Sequence, residues 1–457
     1  MRKLFLVSLF ILALAKGFGQ SSRPNIIFIL TDDQRWDALG FAGNPIIKTP
    51  EMDRLAAEGT YFENAFVTTP ICAASRASIL TGLYERTHGY TFGQGNIKQV
   101  YMDQSYPVKL REGGYYTGFF GKFGVNYPGF QGLFDVGEDY DRNGNFKDRR
   151  GYFFKTLGKD TVHLTRYTSQ QAIDFIQHAP AEKPFMLSLS FSAPHAHDPA
   201  ELQYFWSPEF DDLYEEITIP EPLMQEESYF LAQPDYVRAG ENRTRWHWRF
   251  DNPEKYQHSV KGYYRMITEI DTEIGKIRKT LEQKGLAENT VIILMGDNGY
   301  FLGERQLAGK WLMYDNSLRV PLIVFDPREK GGKRIPSFAL NIDVPATILD
   351  LAEIEVPDSW QGMSLFSNEL EQRKEFLTEH LWQTPIIAPS EAIRSDHWKY
   401  FHYLNDPNRE ELYDLQADPL EKNNLAGNPQ FSQKLQELRI RLKELAIRYQ
   451  KEKVPEH

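Results

Sequence analysis

Four short apolar runs punctuate the chain. Asn25 to Leu30 (NIIFIL) is unbroken and ends at Thr31-Asp32-Asp33. Thr290 to Met295 (TVIILM) ends at Gly296-Asp297-Asn298-Gly299, and Pro184 to Phe191 (PFMLSLSF) leads to Pro194-His195. Val320 to Phe325 (VPLIVF) is the fourth. A run of this length without polar alternation predicts a strand buried on both faces, as in a parallel sheet. Helical spacing lies between the runs. From Val260 to Leu281, Tyr264, Ile267, Ile270, Ile274 and Ile277 recur at three and four residues, and 49–58, 168–177 and 343–351 also read as helices. Strands alternating with helices predict an α/β sheet with helices on both faces. Ligands bind such sheets beyond the carboxyl ends of the strands, where three of the four runs place Asp, Asn or His. Past residue 375 the pattern changes: 391–403 and 410–415 read as short strands joined by turns. Phe431, Leu435, Leu438, Leu442, Leu445 and Tyr449 then form the stripe of a helix docked on a small sheet. The expected organisation is a catalytic domain over 21–375 and a small α+β subdomain over 376–457.

Residues 1–20 read as an export signal: Arg2 and Lys3, then an apolar run from Leu4 to Ala15, then Gly17, Gly19 and Gln20. The run is short of the ~20 residues that span a bilayer, so cleavage is expected near residues 19–21 and the mature chain is expected in the periplasm or outside the cell, with no membrane span. The net charge of −11 argues against a nucleic-acid partner, which calls for a basic surface. An exported chain of 457 residues with one cysteine forms no internal disulfide. Cys72 is therefore free, buried or chemically committed.

Cys72 sits in Ile71-Cys-Ala-Ala-Ser-Arg-Ala-Ser-Ile-Leu-Thr-Gly82. This stretch resembles the signature of the type I, formylglycine-dependent sulfatases, Cys-x-Pro/Ala-x-Arg followed by Leu-Thr-Gly. Further blocks of similarity follow the family order: Arg23 to Asp33, Leu286 to Gly299, Arg319 to Leu322, and Glu411-Leu-Tyr-Asp-Leu415 with Asp418-Pro419 and Asn424-Leu-Ala426. The resemblance implies an alkaline-phosphatase-like sandwich with a large, mostly parallel sheet. It also implies hydrolysis of sulfate esters. In the family the cysteine is oxidised to formylglycine by a formylglycine-generating or anaerobic sulfatase-maturing enzyme. The hydrated aldehyde attacks sulfur, and its second hydroxyl then expels sulfate.

Asp32, Asp33, Asp297 and Asn298 offer oxygen ligands only, which suits a hard cation. The resemblance implies that they hold one Ca²⁺ together with the modified Cys72. It further implies that Arg76 steadies the nucleophile, that Lys122 and Lys310 bind the sulfate, and that His195 helps protonate the leaving oxygen. Many relatives carry histidine two residues after the lysine matching Lys122; here Gly124 stands there, with Asn126 as a candidate stand-in. His197 and Asp198 are candidates to share the role of His195. Arg243 to Phe250 (RTRWHWRF) interleaves cations and aromatics, so Arg245 and Trp246 are candidate sugar contacts; an ordinary surface loop is the bland alternative. The expected substrate is a sulfated polysaccharide or its oligosaccharides, with algal ulvan or carrageenan as candidates. The competing readings are a formylglycine-dependent phosphonate or phosphodiester hydrolase and a non-catalytic carbohydrate binder.

Overall fold

The computed structural model describes residues 23–451, and the expected export signal at 1–20 lies outside them. Eight strands form one sheet: β1 Asn25–Thr31, β2 Thr60–Phe66, β3 Tyr116–Gly121, β4 Val136–Asp139, β5 Phe185–Phe191, β6 Thr290–Gly296, β7 Leu322–Phe325 and β8 Lys333–Leu340. Their order across the sheet is β8-β2-β7-β6-β1-β5-β3-β4. Every neighbouring pair is parallel except those made by β7, which runs antiparallel to β6 and β2. The fourth apolar run is thus buried as expected but points the other way. A parallel return needs a crossover, usually a helix. The segment between β6 and β7 holds a small two-stranded ribbon and short turns of helix but no crossover helix, and the chain re-enters the sheet from the end at which it left.

The unbroken apolar runs are explained by cover on both faces. Ile26, Phe28 and Leu30 face one core; Ile27 and Ile29 face the other. The first core is closed by helices α2 Cys72–Thr81 and α6 Asp343–Leu351, the second by α1 Pro50–Glu58, α3 Leu164–His178 and α5 Pro253–Gln283. The five residues of the predicted α5 stripe are all buried. That helix starts earlier than its stripe because Asn252 caps it, accepting from the Lys255 N–H at 2.9 Å, with Pro253 in the first turn.

The C-terminal part is an antiparallel sheet of β9 Glu375–His380, β10 Ser390–Ser395, β11 Trp398–Tyr403 and β12 Asp406–Asp414. The terminal helix, Ser432–Lys451, lays Leu435, Leu438, Leu442 and Leu445 into the first core. Between the two parts, α4 spans Glu241–Arg249, so the cation-aromatic stretch is a helix and not a surface loop.

Candidate active site

β6, β1, β5 and β3 are neighbours, and their register is nearly flush. Thr31 stands opposite both Gly296 and Phe191, and Gly121 opposite Ser190. Whatever follows these strands emerges side by side. Asp297 and Asn298 leave β6, Asp32 and Asp33 leave β1, His195 follows β5, and Lys122 follows β3. Asp33 turns there with φ 68, a left-handed conformation that Asp tolerates better than bulkier residues.

Cys72 opens α2, a helix whose ten residues are all buried. The helix start carries unpaired N–H groups and the positive end of the dipole. Arg76 lies one turn further along, on the same face. It donates from Nε to Asp297 Oδ2 at 2.8 Å and from Nη1 to the Lys122 carbonyl at 2.6 Å. Lys310 comes from the segment between β6 and β7. Its backbone is held by Asn242 of α4, whose amide donates to the carbonyls of Ala308 and Lys310 at 2.9 Å. The next residue, Trp311, has φ 81, a strained value for a large side chain.

The buried charges nearly cancel. Lys122 Nζ is 2.5 Å from Asp32 Oδ2 and Lys310 Nζ 2.5 Å from Asp33 Oδ1. Burial alone would raise Asp32, but Lys122, Lys310 and Arg76 hold it below the usual carboxylate range. Burial would lower both lysines; Asp141 and Asp32 around Lys122, and Asp33 beside Lys310, raise them instead. Asp297 is pushed upward by burial and by Asp32, against the pull of Arg76. His195 is buried and held far below its usual range, first by burial and then by Arg142, Lys310, Lys122 and Arg245. It is therefore neutral at pH 7, and its Nδ1–H donates to the Ala196 carbonyl at 2.6 Å. That leaves a bare Nε2 only 3.5 Å from Asp33 Oδ2.

Three oxygens of this cluster stay buried without a hydrogen bond: Asp32 Oδ1, Asp33 Oδ2 and Asn298 Oδ1. Each would cost about 1–3 kcal/mol if nothing met it. A hard cation would satisfy oxygens of this kind, and Asp32, Asp33 and His195 carry donor atoms within 4.8 Å of one another. The oxygen-rich set fits Ca²⁺ or Mg²⁺. The carboxylates are already balanced by Arg76, Lys122 and Lys310, so like-charge repulsion is not what calls for the ion; the orphaned oxygens are.

The structure thus brings Cys72, Arg76, Lys122, His195, Lys310, Asp32, Asp33, Asp297 and Asn298 together. Arg245 joins their edge: Asn242, Arg245 and Arg249 share one face of α4, and the Arg245 guanidinium lies 4.8 Å over the Trp311 ring while pairing with Asp198 at 2.9 Å. Trp246, partly buried against the second core, has Arg243 stacked on its ring at 4.0 Å. Asp198 is taken up by Arg245 and Arg249, and His197 points Nε2 at the Phe146 carbonyl. Asn126 is exposed with its amide toward Gly95. Gly124 has φ +71, and a Cβ there would lie 2.7 Å from Arg76 Cδ.

Asp141 and Arg142 were not legible in the sequence. Asp141 sits 3.4 Å from Lys122 Nζ, and Arg142 donates to the Ala196 carbonyl beside His195. They follow β4, an edge strand with no apolar run. The strand-end rule would have found them had that strand carried a hydrophobic signal.

The family profile described as Sulfatase matches residues 24–354, and the profile for the C-terminal part of N-sulphoglucosamine sulphohydrolase matches 303–448. The chain is 29% identical to an arylsulfatase of Clostridium perfringens, over 93% of this chain and 94% of the relative. It is also 29% identical to an N-acetylglucosamine-6-O-sulfatase of Bacteroides thetaiotaomicron, over 94% and 87%. The structure of BT4656 in complex with its substrate D-glucosamine-2-N,6-O-disulfate superposes with TM-score 0.78 at 27% identity, covering 93% of this chain and 98% of the other. The architecture is the expected alkaline-phosphatase-like sandwich.

Proposed function

This chain belongs to the sulfatase family of sulfuric ester hydrolases, and we propose that it removes sulfate from a carbohydrate, using a formylglycine made from Cys72 and one calcium ion, after export from the cell. The observation that carries the reading is the set of orphaned oxygens of Asp32, Asp33 and Asn298 facing a cationic wall of Arg76, Lys122 and Lys310. One side fits a cation and the other a sulfate.

Asp32, Asp33, Asp297 and Asn298 would hold the calcium ion, which supplies Lewis-acid polarisation of the sulfate. Formylglycine supplies an oxygen nucleophile at the positive end of α2. Arg76 fixes Asp297 and the floor of the site. Lys122 and Lys310 hold the sulfate oxygens where charge builds. His195, neutral in the free site because cations surround it, gains an anionic neighbour when a sulfate ester enters, which favours its protonation and the transfer of that proton to the leaving oxygen. Cys72 is 4% exposed within a wholly buried helix, so a maturing enzyme reaches it before the chain closes. No helix among the described residues is long and apolar enough to cross a membrane.

Carbohydrate is favoured by what the relatives act on and by Arg245, which lies at the edge of the pocket over Trp311, held there by Asp198 and Glu241. The test is turnover of 4-nitrophenyl sulfate, 4-nitrophenyl phosphate and a panel of size-defined oligosaccharides from ulvan, carrageenan and 6-O-sulfated glucosamine polymers. The reading expects sulfate release from at least one oligosaccharide at a kcat/KM above that of the aryl sulfate, and a larger loss on that oligosaccharide in Arg245→Ala. Preferred turnover of the phosphate would replace it with a phosphoester hydrolase.

A further inference from the structure

Two stretches of the chain contain no charged side chain, 89–97 (GYTFGQGNI) and 381–389 (LWQTPIIAP), although a quarter of the residues are charged. Both come to the rim of the active site. Trp382, half-buried, packs against Ile71, Ala74, Trp311 and Ile387. Ile71 and Ala74 flank Cys72, and Trp311 follows Lys310, so Trp382 borders the segments that carry Cys72 and Lys310. Phe92, 40% exposed, lies against Trp382 with ring centroids 5.5 Å apart and planes at 45°. The loop carrying Trp382 is fixed at three points. The Leu381 N–H donates to Glu85 at 3.3 Å, the Ile386 carbonyl accepts from the Glu241 N–H at 2.9 Å, and the Pro389 carbonyl accepts from the Leu404 N–H at 2.8 Å. Gln94 and Gln383, each standing near one of the two rings in sequence, carry amides suited to hydroxyl groups.

We infer that Phe92 and Trp382 form a stacking platform for an uncharged sugar ring joined to the sugar whose sulfate is removed; the inference rests on the carbohydrate reading above. A ring that leaves the sulfate pocket past Trp311 meets these aromatics next. Its apolar C–H face suits their exposed rings, and its hydroxyls suit the neighbouring amides. A second sulfate on the face stacked against these rings would find no charged side chain in either stretch to pair it, which costs binding. The platform therefore selects substrates whose neighbouring sugar is unsulfated.

The test compares kcat/KM for the wild type, Phe92→Ala, Trp382→Ala and Trp382→Phe. The probes are 4-nitrophenyl sulfate and two sulfated disaccharides from the panel above, with the second ring bare or sulfated. The wild type should prefer the bare neighbour. Both alanine variants should lose about tenfold on that disaccharide and less than about twofold on the aryl sulfate, while Trp382→Phe keeps most of the rate. Equal losses on both probes, or no loss on the disaccharide, overturn the platform. So does a change in sedimentation with the ratio untouched, which would assign the rings to a second copy of the chain. If the wild type turns over aryl sulfate but no carbohydrate, the carbohydrate reading falls and this inference with it. If it turns over both and the variants leave the ratio unchanged, the platform alone falls.

Discussion

Restoring the histidine that many relatives carry at the position of Gly124 should damage this protein. Gly124 has φ +71, where a side chain costs about 1–2 kcal/mol. A Cβ there would stand 2.7 Å from Arg76 Cδ, and that atom cannot yield cheaply. Arg76 is 2% exposed and tied to Asp297, to the Lys122 carbonyl and to Ser190. Pushing it aside leaves Asp297 buried without its cation, which costs about 3–5 kcal/mol. Together Gly124→His should lose roughly 4–7 kcal/mol, a large part of the 5–15 kcal/mol that holds most proteins folded. At about 2.1 cal/mol/K per residue, a chain of 457 residues has an unfolding entropy near 1 kcal/mol/K, so the melting temperature should fall by about 4–7 °C. Activity should fall at least ~100-fold, the scale of losing one aligned charge-stabilising group. Thermal unfolding by circular dichroism and turnover of 4-nitrophenyl sulfate measure both. Gly124→Ala should show most of the stability loss, since the clash begins at Cβ. A histidine variant that melts with the wild type and works faster would show that Arg76 is not pinned and that the space exists.

Peptide mass spectrometry on protein made with its maturing enzyme should find an aldehyde at position 72, and Cys72→Ala should abolish turnover without unfolding the chain; fully active enzyme with an intact thiol would falsify the assignment. Asp297→Ala should lower both metal content and activity, and metal analysis of the wild type should find one calcium; two zinc ions would reject the proposed centre. Glu85, buried beside Glu379, is pushed up to about 8 from 4.5, first by burial and then by that neighbour. Its folded pKa exceeds its unfolded one, so its contribution is intact below pH 4.5 and lost as pH rises toward 8. Glu85→Gln should therefore be near neutral at pH 5 and stabilising at pH 9 by up to a few kcal/mol; equal melting shifts at the two values would contradict this.

Much of the scaffold was legible in the sequence because burial on two faces writes itself as an unbroken apolar run. β1, β5 and β6 were visible for that reason, and so were the polar residues at their carboxyl ends. α5 was visible through its stripe of Tyr264, Ile267, Ile270, Ile274 and Ile277. The spacing of Cys72 and Arg76 by itself puts both on one face of a helix, since residues four apart stack one above the other. Strand direction was not legible: β7 carries the same apolar run as its parallel neighbours, and only a connection from β6 without a crossover helix turns it around. β4 carried no run, since an edge strand has little to bury, so Asp141 and Arg142 stayed hidden although they surround Lys122 and His195. Nor could local pattern show that Asp198 is consumed by two arginines, that Trp246 lies under Arg243, or that Phe92 meets Trp382 from a distant part of the chain. Sequence determines what each segment must bury and which chemistry it carries. Which oxygens are left without a partner, and which rings face the site, depends on contacts between distant segments, and these exist only once the sheet has closed.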